Sequence, residues 1–288
     1  MDFVLLFASV FMDTIKNMCY NQFARTSLKN NKDALAFNVI GSLCAVVFFA
    51  LLGASLKVSS FSFWMALFFA GVTFGAQHLS LLAISLGSMS FSVLITYLSM
   101  LITILFGVIC YGHTIGFLQI IGLVLMITTF YLSLDRRGHG SINLKWLFAA
   151  IGSLIFWGLV GICQMIHQNS AHAVELNGFL LWTFIFLAIM FGIMWILTPN
   201  FKERPSGYKI KSKATLFVII AGLFVGTTNK INLYLSGVMS SVILFPINNG
   251  GVIILSAFAS IFVFREKLTQ KQKLGLIIGV IAVLCLGM

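Results

Sequence analysis

The chain has 288 residues, of which 60% are hydrophobic and 9% are charged, and its mean hydropathy is +1.05. A soluble domain carries about 25% charged residues, so this composition excludes a protein whose whole surface faces water. The formal net charge of +11 would favour a nucleic-acid partner in a soluble protein. Here the basic residues lie in short segments between apolar runs, where they indicate membrane topology instead. We therefore expect an integral, multi-pass membrane protein in contact with the lipid bilayer, without a nucleic-acid partner.

Apolar runs of about 20 residues, long enough to cross the bilayer core as helices, recur ten times along the chain. They lack the alternation typical of lipid-facing strands, which favours helices over a barrel. The sequence therefore predicts an all-α membrane protein with ten transmembrane helices. These lie near 3–23, 34–56, 61–84, 89–111, 115–134, 145–167, 178–198, 214–236, 240–264 and 274–288.

The first predicted span contains two ionisable residues, Asp13 and Lys16, with Asn17 beside them. A charge at the bilayer centre costs about 2.5–3.5 kcal/mol on insertion scales, so both residues merit a functional hypothesis. Asp13 and Lys16 are three residues apart and share a helix face. One interpretation is an ion pair that neutralises itself. The other is a pair lining a cavity, with Asp13 as a proton or cation site and Lys16 and Asn17 facing the substrate.

Weaker candidate site residues lie in the third, fourth and seventh spans. Gln77 and His78 align with the neighbourhood of Asn229 when the two halves of the chain are compared, which favours a cavity position. Tyr97 and Trp182 are candidates too, although such residues are more often interhelical or interfacial hydrogen-bonding groups. The alternative for His78 is a packing residue whose hydrogen bonds are satisfied.

The eighth span carries Lys230 within a polar stretch, preceded by Asn229 and followed by Tyr234. A polar stripe on a transmembrane helix should face protein or water rather than lipid, and a cationic head there would attract a carboxylate or phosphate. We assign Lys230, Asn229 and Tyr234 to a substrate-binding site. The alternative is a lysine whose stem reaches the interface by snorkelling.

The ninth span contains Pro246, followed by Asn248 and Asn249 and then by paired glycines. Proline removes one helix hydrogen bond and glycine weakens a helix, so the pattern predicts a broken helix. Transporters use such breaks to bind solute with backbone groups. Asn248 and Asn249 are therefore candidate substrate ligands; the alternative is a packing kink. The two histidines of the sixth loop, His167 and His172, have no further ligands nearby in sequence and are interpreted as loop residues.

The two halves of the chain resemble each other. Gly71 to Gly75 in the third span matches Gly222 to Gly226 in the eighth, and the matches keep a common order over five spans. We predict a duplication, with one five-helix repeat at 1–143 and the second at 144–288. An odd number of spans in each repeat makes the second copy inverted in the membrane. The glycine pairs are expected to allow close helix packing.

The distribution of basic residues agrees with inverted repeats. Of the 18 Lys and Arg residues, 15 lie in loops on one predicted face, and the opposite face has only Lys57. The positive-inside rule assigns the basic loops to the cytoplasm. Both termini are then outside.

The chain resembles the ten-span EamA-type branch of the drug/metabolite transporter superfamily. The residues that carry the resemblance are Phe245-Pro246, then Phe264-Arg265-Glu266-Lys267-Leu268-Thr269, then Gln272 and Gly275. The first half departs from this pattern, since His113 occupies the position of Glu266 and Thr96 or a neighbour that of Pro246. The resemblance implies a substrate cavity between the two repeats and alternating access by their rocking. Relatives are described with both termini in the cytoplasm, which differs from the charge distribution.

The leading hypothesis is a secondary active transporter for a small polar metabolite, amino-acid-like and anionic or zwitterionic. Two intramembrane lysines against one aspartate favour that charge class, and coupling to a proton or ion is expected because no phosphate-binding loop is seen. The near alternative is a multidrug or aromatic-compound exporter, suggested by 14% aromatic residues and 12 methionines.

A membrane-embedded enzyme or a channel is a distant alternative, because the sequence has no convergent catalytic set and no sign of a symmetric filter. Neither a metal nor another cofactor is expected, since the five cysteines lie in apolar runs without metal-ligand spacing. We expect a monomer or weak homodimer in a bacterial inner membrane.

Overall fold

The structure, a computed structural model, describes residues 1–27, 31–86, 89–133, 144–198, 212–262 and 269–288. Within these ranges the regular structure is helical and contains no strand. The helices are α1 (Asp2–Ser27), α2 (Asn31–Leu51), α3 (Ser60–Leu86), α4 (Met89–Leu98), α5 (Met100–Tyr111), α6 (Phe117–Ser133), α7 (Leu144–Gln168), α8 (Leu176–Leu197), α9 (Ser212–Val238), α10 (Ser241–Phe262) and α11 (Gln270–Gly287), with a 3₁₀ turn at Ala173–Glu175.

Most of these helices have the length and apolar composition of membrane-spanning segments. In the described ranges, seven segments are long and apolar enough to do so, and two shorter apolar segments lie at Ile95–Tyr111 and Phe117–Leu132. Helix α1 is not among them, since it is less apolar and carries Asp13 and Lys16. The prediction of an all-α integral membrane protein is confirmed. The number of helices that cross the lipid, and their inverted arrangement, stay predictions.

The fourth predicted span is divided at Ser99, between α4 and α5. The Ser99 N–H donates to the carbonyl oxygen of Thr96 at 3.2 Å, the tighter pattern of a 3₁₀ turn. The Thr96 hydroxyl donates to the carbonyl oxygen of Ser92 at 3.0 Å and lies 3.0 Å from the Ser153 hydroxyl of α7. Such side-chain bonds to the preceding turn bend helices, which accounts for the interruption.

The prediction of a broken helix at Pro246 is wrong, because α10 runs without interruption from Ser241 to Phe262. Pro246 is the sixth residue of the helix. Proline has no N–H, so at this position the helix loses one hydrogen bond, the one to the carbonyl oxygen of Val242. Helix α10 is buried along this stretch, with Val242, Leu244 and Ile247 in the core, and this packing stabilises it.

The most extensive helix contacts join the first half of the chain to the second. Helix α6 packs on α11, α3 on α7, α1 on α9 and α2 on α8. Helix α2 also packs on α9, and α3 also packs on α8. One apolar core surrounds Phe49, Phe69 and Phe179. Another contains Leu6 of α1, Met100 of α5 and side chains of α6, α10 and α11. The two halves are therefore interleaved rather than side by side.

Three of the four glycines singled out by the repeat lie at close helix contacts. An added Cβ at Gly75 would lie 2.5 Å from the Phe156 ring of α7, and one at Gly222 would lie 2.5 Å from the Cys44 Cβ of α2. At Gly226 the Phe48 ring would be 2.8 Å away. Gly71 differs, since nothing lies within 4 Å of its added Cβ. The packing role holds for Gly75, Gly222 and Gly226 and does not extend to Gly71.

Candidate functional site

A cavity of about 560 Å³ lies among the helices. Its size is in the range of pockets that hold small molecules, about 300–1,000 Å³. Its described lining comes from α1, α2, α3, α4, α5, α7, α8, α9 and α10, and none of it from α6 or α11. Helices of both halves therefore build the wall together.

The cavity wall contains one ion pair. Lys16 Nζ donates to Asp13 Oδ1 at 2.5 Å. The side chain of Asp13 is 11% exposed and that of Lys16 is 29% exposed, so both are largely screened from bulk water. Among the described residues that line the cavity, these two are the only charged ones. The two residues pair with each other and also line the cavity, while their roles toward a proton and a substrate stay predictions.

The structure brings eight of the twelve sequence-predicted site residues to the cavity wall. Besides the ion pair they are polar, uncharged side chains from five helices. The eight are Asp13, Lys16, Asn17, Gln77, Tyr97, Asn229, Asn248 and Asn249. Their common position makes the cavity a candidate binding site for a polar ligand.

Two polar atoms of the cavity-lining residues are uncompensated. Asn248 Oδ1 and Thr73 Oγ1 are buried and have no hydrogen-bond partner within the described part of the chain. Buried polar atoms in folded proteins are seldom left without a partner. Asn229, also in the wall, donates through its Nδ2 to the carbonyl oxygen of Val225 at 2.9 Å. A ligand with hydrogen-bonding groups would relieve the cost of the unpaired atoms.

Four predicted site residues do not line the cavity: Lys230, Tyr234, His78 and Trp182. Lys230 is half-buried and adjacent to Asn229, but successive helix residues point about 100° apart. Tyr234 is 39% exposed. The His78 ring stacks on Phe74, with centroids 6.2 Å apart, and Trp182 Nε1 donates to the carbonyl oxygen of Leu56 at 3.0 Å. A binding role for these four residues stays a prediction.

Apart from Tyr97, the sequence did not single out the aromatic and hydroxyl side chains of the wall. Trp157, Phe184 and Phe191 line the cavity with Ser80. Trp157 Nε1 donates to Ser80 Oγ at 3.0 Å, and Ser80 Oγ lies 2.7 Å from Ser153 Oγ. Phenylalanine, tryptophan and serine in apolar runs carry no local signal that separates a cavity wall from packing. Only the helix rotation decides which of them faces inward.

Five residues form a polar cluster where α3 begins and α7 ends, called here the Glu175 cluster: Ser59, Ser62, His167, His172 and Glu175. Both carboxylate oxygens of Glu175 accept the Ser59 N–H at 3.1 Å, and Oε2 also accepts the Ser59 hydroxyl at 2.7 Å. A carboxylate at a helix N-terminus is favourable. The interpretation of His167 as a loop residue is wrong, because it is fully buried within α7, with Nε2 3.3 Å from Ser62 Oγ.

His113 fastens the loop after α5 to the start of α10. Its Nδ1 accepts the Ser241 N–H at 3.1 Å and lies 2.8 Å from Ser241 Oγ. Gly107 leaves the necessary space, since an added Cβ there would meet both residues. Burial lowers the pKa of His113 below its ordinary value of 6.5. Protonated Nδ1 has no lone pair to accept the N–H, so the contact requires the neutral ring.

This contact should make the stability of the protein pH-dependent. The pKa of His113 is lower in the folded state, so the unfolded chain takes up the proton first as pH falls below about 6.5. The His113 contribution to stability is therefore constant above that pH, decreases as pH falls, and levels off below the folded-state pKa. The measurement is the thermal unfolding midpoint in detergent from pH 8 to about pH 5, compared with His113→Asn, which does not titrate. Equal pH slopes in the two proteins would contradict the assignment.

Across the described ranges, no group of three or more His, Cys, Asp or Glu side chains could hold a metal ion.

The Glu-x-Leu-Thr turn of the second half and most of the basic loops fall at 134–143, 199–211 and 263–268, outside the described residues. Thr269 is described, and it forms a capping box with Gln272 at the start of α11.

The fold resembles that of solved proteins. One crystal structure aligns with a TM-score of 0.77 over 98% of this chain and 94% of that chain, at 14% sequence identity. At that identity the likeness concerns the fold alone. No curated protein matches the sequence.

A family model also matches part of the chain. It is that of the EamA-like transporter family, and it covers residues 19–134. The match falls on the first half, whereas the residues that first suggested the resemblance lie in the second, where the motif is short and degenerate. The resemblance noted in the sequence is confirmed: over residues 19–134, this chain is similar to the EamA-like transporter family, which is part of the drug/metabolite transporter superfamily.

Proposed function

We propose that the protein is a secondary active transporter that moves a small polar metabolite across a membrane by alternating access. The substrate is amino-acid-like and anionic or zwitterionic. The observation that carries the proposal is the cavity of about 560 Å³ with a single ion pair and uncompensated amide and hydroxyl groups in its wall. A cavity of this character suits a polar ligand better than an apolar one.

The depth of the polar residues supports transport. Asp13 lies 11 residues after the start of α1, or about 16 Å along the helix. Asn229 lies nine residues before the end of α9, or about 14 Å. A bilayer core is about 30 Å thick, so helices that begin and end near its two faces would place both residues near its middle. Binding halfway through the lipid is the arrangement of secondary transporters.

The helix contacts support two inverted five-helix repeats, at 1–143 and 144–288. Exchanging α1 with α7, α2 with α8, α3 with α9, α4 and α5 with α10, and α6 with α11 turns most of the extensive contacts into one another. The α1–α9 contact becomes α7–α3, α2–α9 becomes α8–α3, and α1–α10 becomes α7 with α4 and α5. The α2–α8 and α6–α11 contacts map onto themselves. This is the pattern expected of a pseudo-two-fold axis.

We also propose a membrane topology, a location and an oligomeric state for the protein. The basic loops lie in the cytoplasm and both termini lie outside, in a bacterial inner membrane, with the protein a monomer or weak homodimer. A proton or ion gradient supplies the energy.

The test compares two neighbouring residues of α9 in proteoliposomes. Asn229→Ala, in the cavity wall, should raise the KM for uptake of a labelled amino-acid mixture about tenfold or more, because a hydrogen bond in a buried site is lost. Lys230→Ala, outside the wall, should leave uptake unchanged if the cavity wall alone forms the site, whereas a loss confined to this variant would support the binding role predicted for Lys230 from the sequence. Equal losses in both variants would contradict the assignment of the site. Ohmic current in place of saturable uptake would indicate a channel, and chemical turnover an enzyme.

An exporter of multidrug or aromatic compounds is the second candidate. The observation that favours it is the aromatic part of the wall, which includes Phe69, Trp157, Phe184, Phe191 and Phe245. A hydrophobic cationic dye that competes with the amino acids at low concentration would favour this exporter. Competition by small monocarboxylates without competition by the dye would favour the metabolite transporter.

A further inference from the structure

The charge balance of the cavity points to a coupling mechanism, which rests on the proposed function. Asp13 and Lys16 neutralise each other, and the other described residues of the wall are uncharged. Lys16 is the more exposed member of the pair, at 29% against 11%. The side chain that carries the ammonium group is therefore the more accessible of the two.

We propose that Asp13 and Lys16 couple the uptake of one proton to the binding of one carboxylate. A proton from water binds to Asp13 Oδ1, and the charge-assisted hydrogen bond from Lys16 Nζ to that oxygen breaks. The freed Lys16 ammonium group donates to the carboxylate of the substrate. On release these steps reverse, and the proton leaves from Asp13 to the other side of the membrane.

The physical reason is repulsion between two carboxylates that compete for one cation. If the substrate bound to Lys16 while Asp13 was ionised, two negative charges would flank a single ammonium group within a site of low dielectric constant. Like charges in such proximity favour protonation of one of them. Proton and substrate therefore bind cooperatively, and by linkage each raises the affinity for the other.

The surroundings of Asp13 leave few other groups that could take the proton. Helix α1 packs on α9 and α10. Among the described side chains, α10 has no ionisable residue, and those of α9 are Lys230 and Tyr234, which do not line the cavity. Tyr97 also lines the cavity, but a phenol is ordinarily neutral at physiological pH. The carboxylate of Asp13 is thus the acid–base group of the site.

The mechanism fixes the charge that moves with each substrate. The empty site carries Asp13⁻ and Lys16⁺ and is neutral. With a proton and a monoanionic carboxylate bound, it is again neutral, so transport of a monoanion is electroneutral. With a proton and a zwitterionic amino acid bound, the site carries one positive charge, and its transport responds to the membrane potential.

The binding experiment uses purified protein in detergent, weakly buffered with a pH indicator, and the labelled amino acids of the flux assay as probes. The wild type should take up one proton for each amino acid bound. Asp13→Asn, which resembles the protonated state, should bind with no proton uptake and with affinity independent of pH. Lys16→Gln should lose at least tenfold in affinity. Lys57→Gln, a matched change in a loop outside the cavity, should leave binding and proton uptake unchanged.

Measurements on the wild type keep the test valid if a variant fails to fold. In proteoliposomes with an imposed potassium diffusion potential, negative inside, amino-acid uptake should accelerate, and its rate should rise as the outside pH falls. Saturable uptake without proton binding, or unchanged proton uptake in Asp13→Asn, would overturn the coupling mechanism alone. Absence of saturable uptake by the wild type would overturn the proposed function itself.

Discussion

Gly222→Ala is expected to lower the thermal unfolding midpoint of the protein in detergent by about 5 °C. The added methyl group would lie 2.5 Å from the Cys44 Cβ and 3.2 Å from the Gly41 carbonyl oxygen. Both atoms belong to the main chain of α2 or are attached directly to it, so neither can rotate away. Helices α2 and α9 would have to separate, and the cavity wall at Gly41 and Gly222 would move with them.

The matched control is Gly71→Ala. Gly71 is the counterpart of Gly222 in the first half, and nothing lies within 4 Å of its added Cβ. Alanine is favoured over glycine within a helix by up to about 1 kcal/mol, so this variant should be as stable as the wild type or more so. An equal decrease in both variants would mean that the close contact at Gly222 does not determine the effect.

Glu175→Ala is expected to increase amide hydrogen exchange about tenfold to a hundredfold in a peptide covering Ser59 to Ser62. Glu175 accepts the Ser59 N–H and hydroxyl, and the Ser59 hydroxyl in turn accepts the Ser62 N–H at 3.2 Å. Removing the carboxylate leaves the first turn of α3 without its anchor to the second half. The measurement is exchange followed by mass spectrometry in detergent.

The conservative variant Glu175→Gln separates charge from hydrogen bonding. Its amide oxygen can still accept the Ser59 N–H, but it lacks the negative charge that favours a helix N-terminus. Exchange intermediate between the wild type and Glu175→Ala is expected. A peptide from the middle of α8, far from the cluster, should be unaffected in both variants. Wild-type exchange in Glu175→Ala would show that the cluster does not hold the start of α3.

Much of the fold could be predicted from the lengths of the apolar runs, because a helix forms the backbone hydrogen bonds of a lipid-embedded segment within the segment itself. The cavity could be anticipated at Asp13 and Lys16, since charges within a membrane segment need a polar environment. The division of α4 from α5 could not be anticipated. It depends on Thr96 meeting Ser153, a contact between residues 57 positions apart, and the sequence of either helix alone does not encode it.

The position of individual site residues relative to the cavity could not be predicted for a related reason. Asn229 and Lys230 are neighbours with equally strong polar character, and only the rotation of α9 about its axis places one in the wall and the other outside it. That rotation is set by packing against α1 and α2. His167 was wrongly assigned to a loop and Glu175 was not singled out, because their partners Ser62 and Ser59 are 105 and 116 positions away.

The interleaved packing has a consequence for biosynthesis. Helix α1 is synthesised before its main partner α9, which follows only after residues 28–211 have been made. If α1 crosses the membrane, as the ten-span prediction has it, the nascent helix resides in lipid without that partner in the interval. An isolated charge at the bilayer centre would cost about 2.5–3.5 kcal/mol, but Asp13 and Lys16 lie on the same helix and can neutralise each other at once. The pair thus allows α1 to remain in the membrane until α9 has been synthesised.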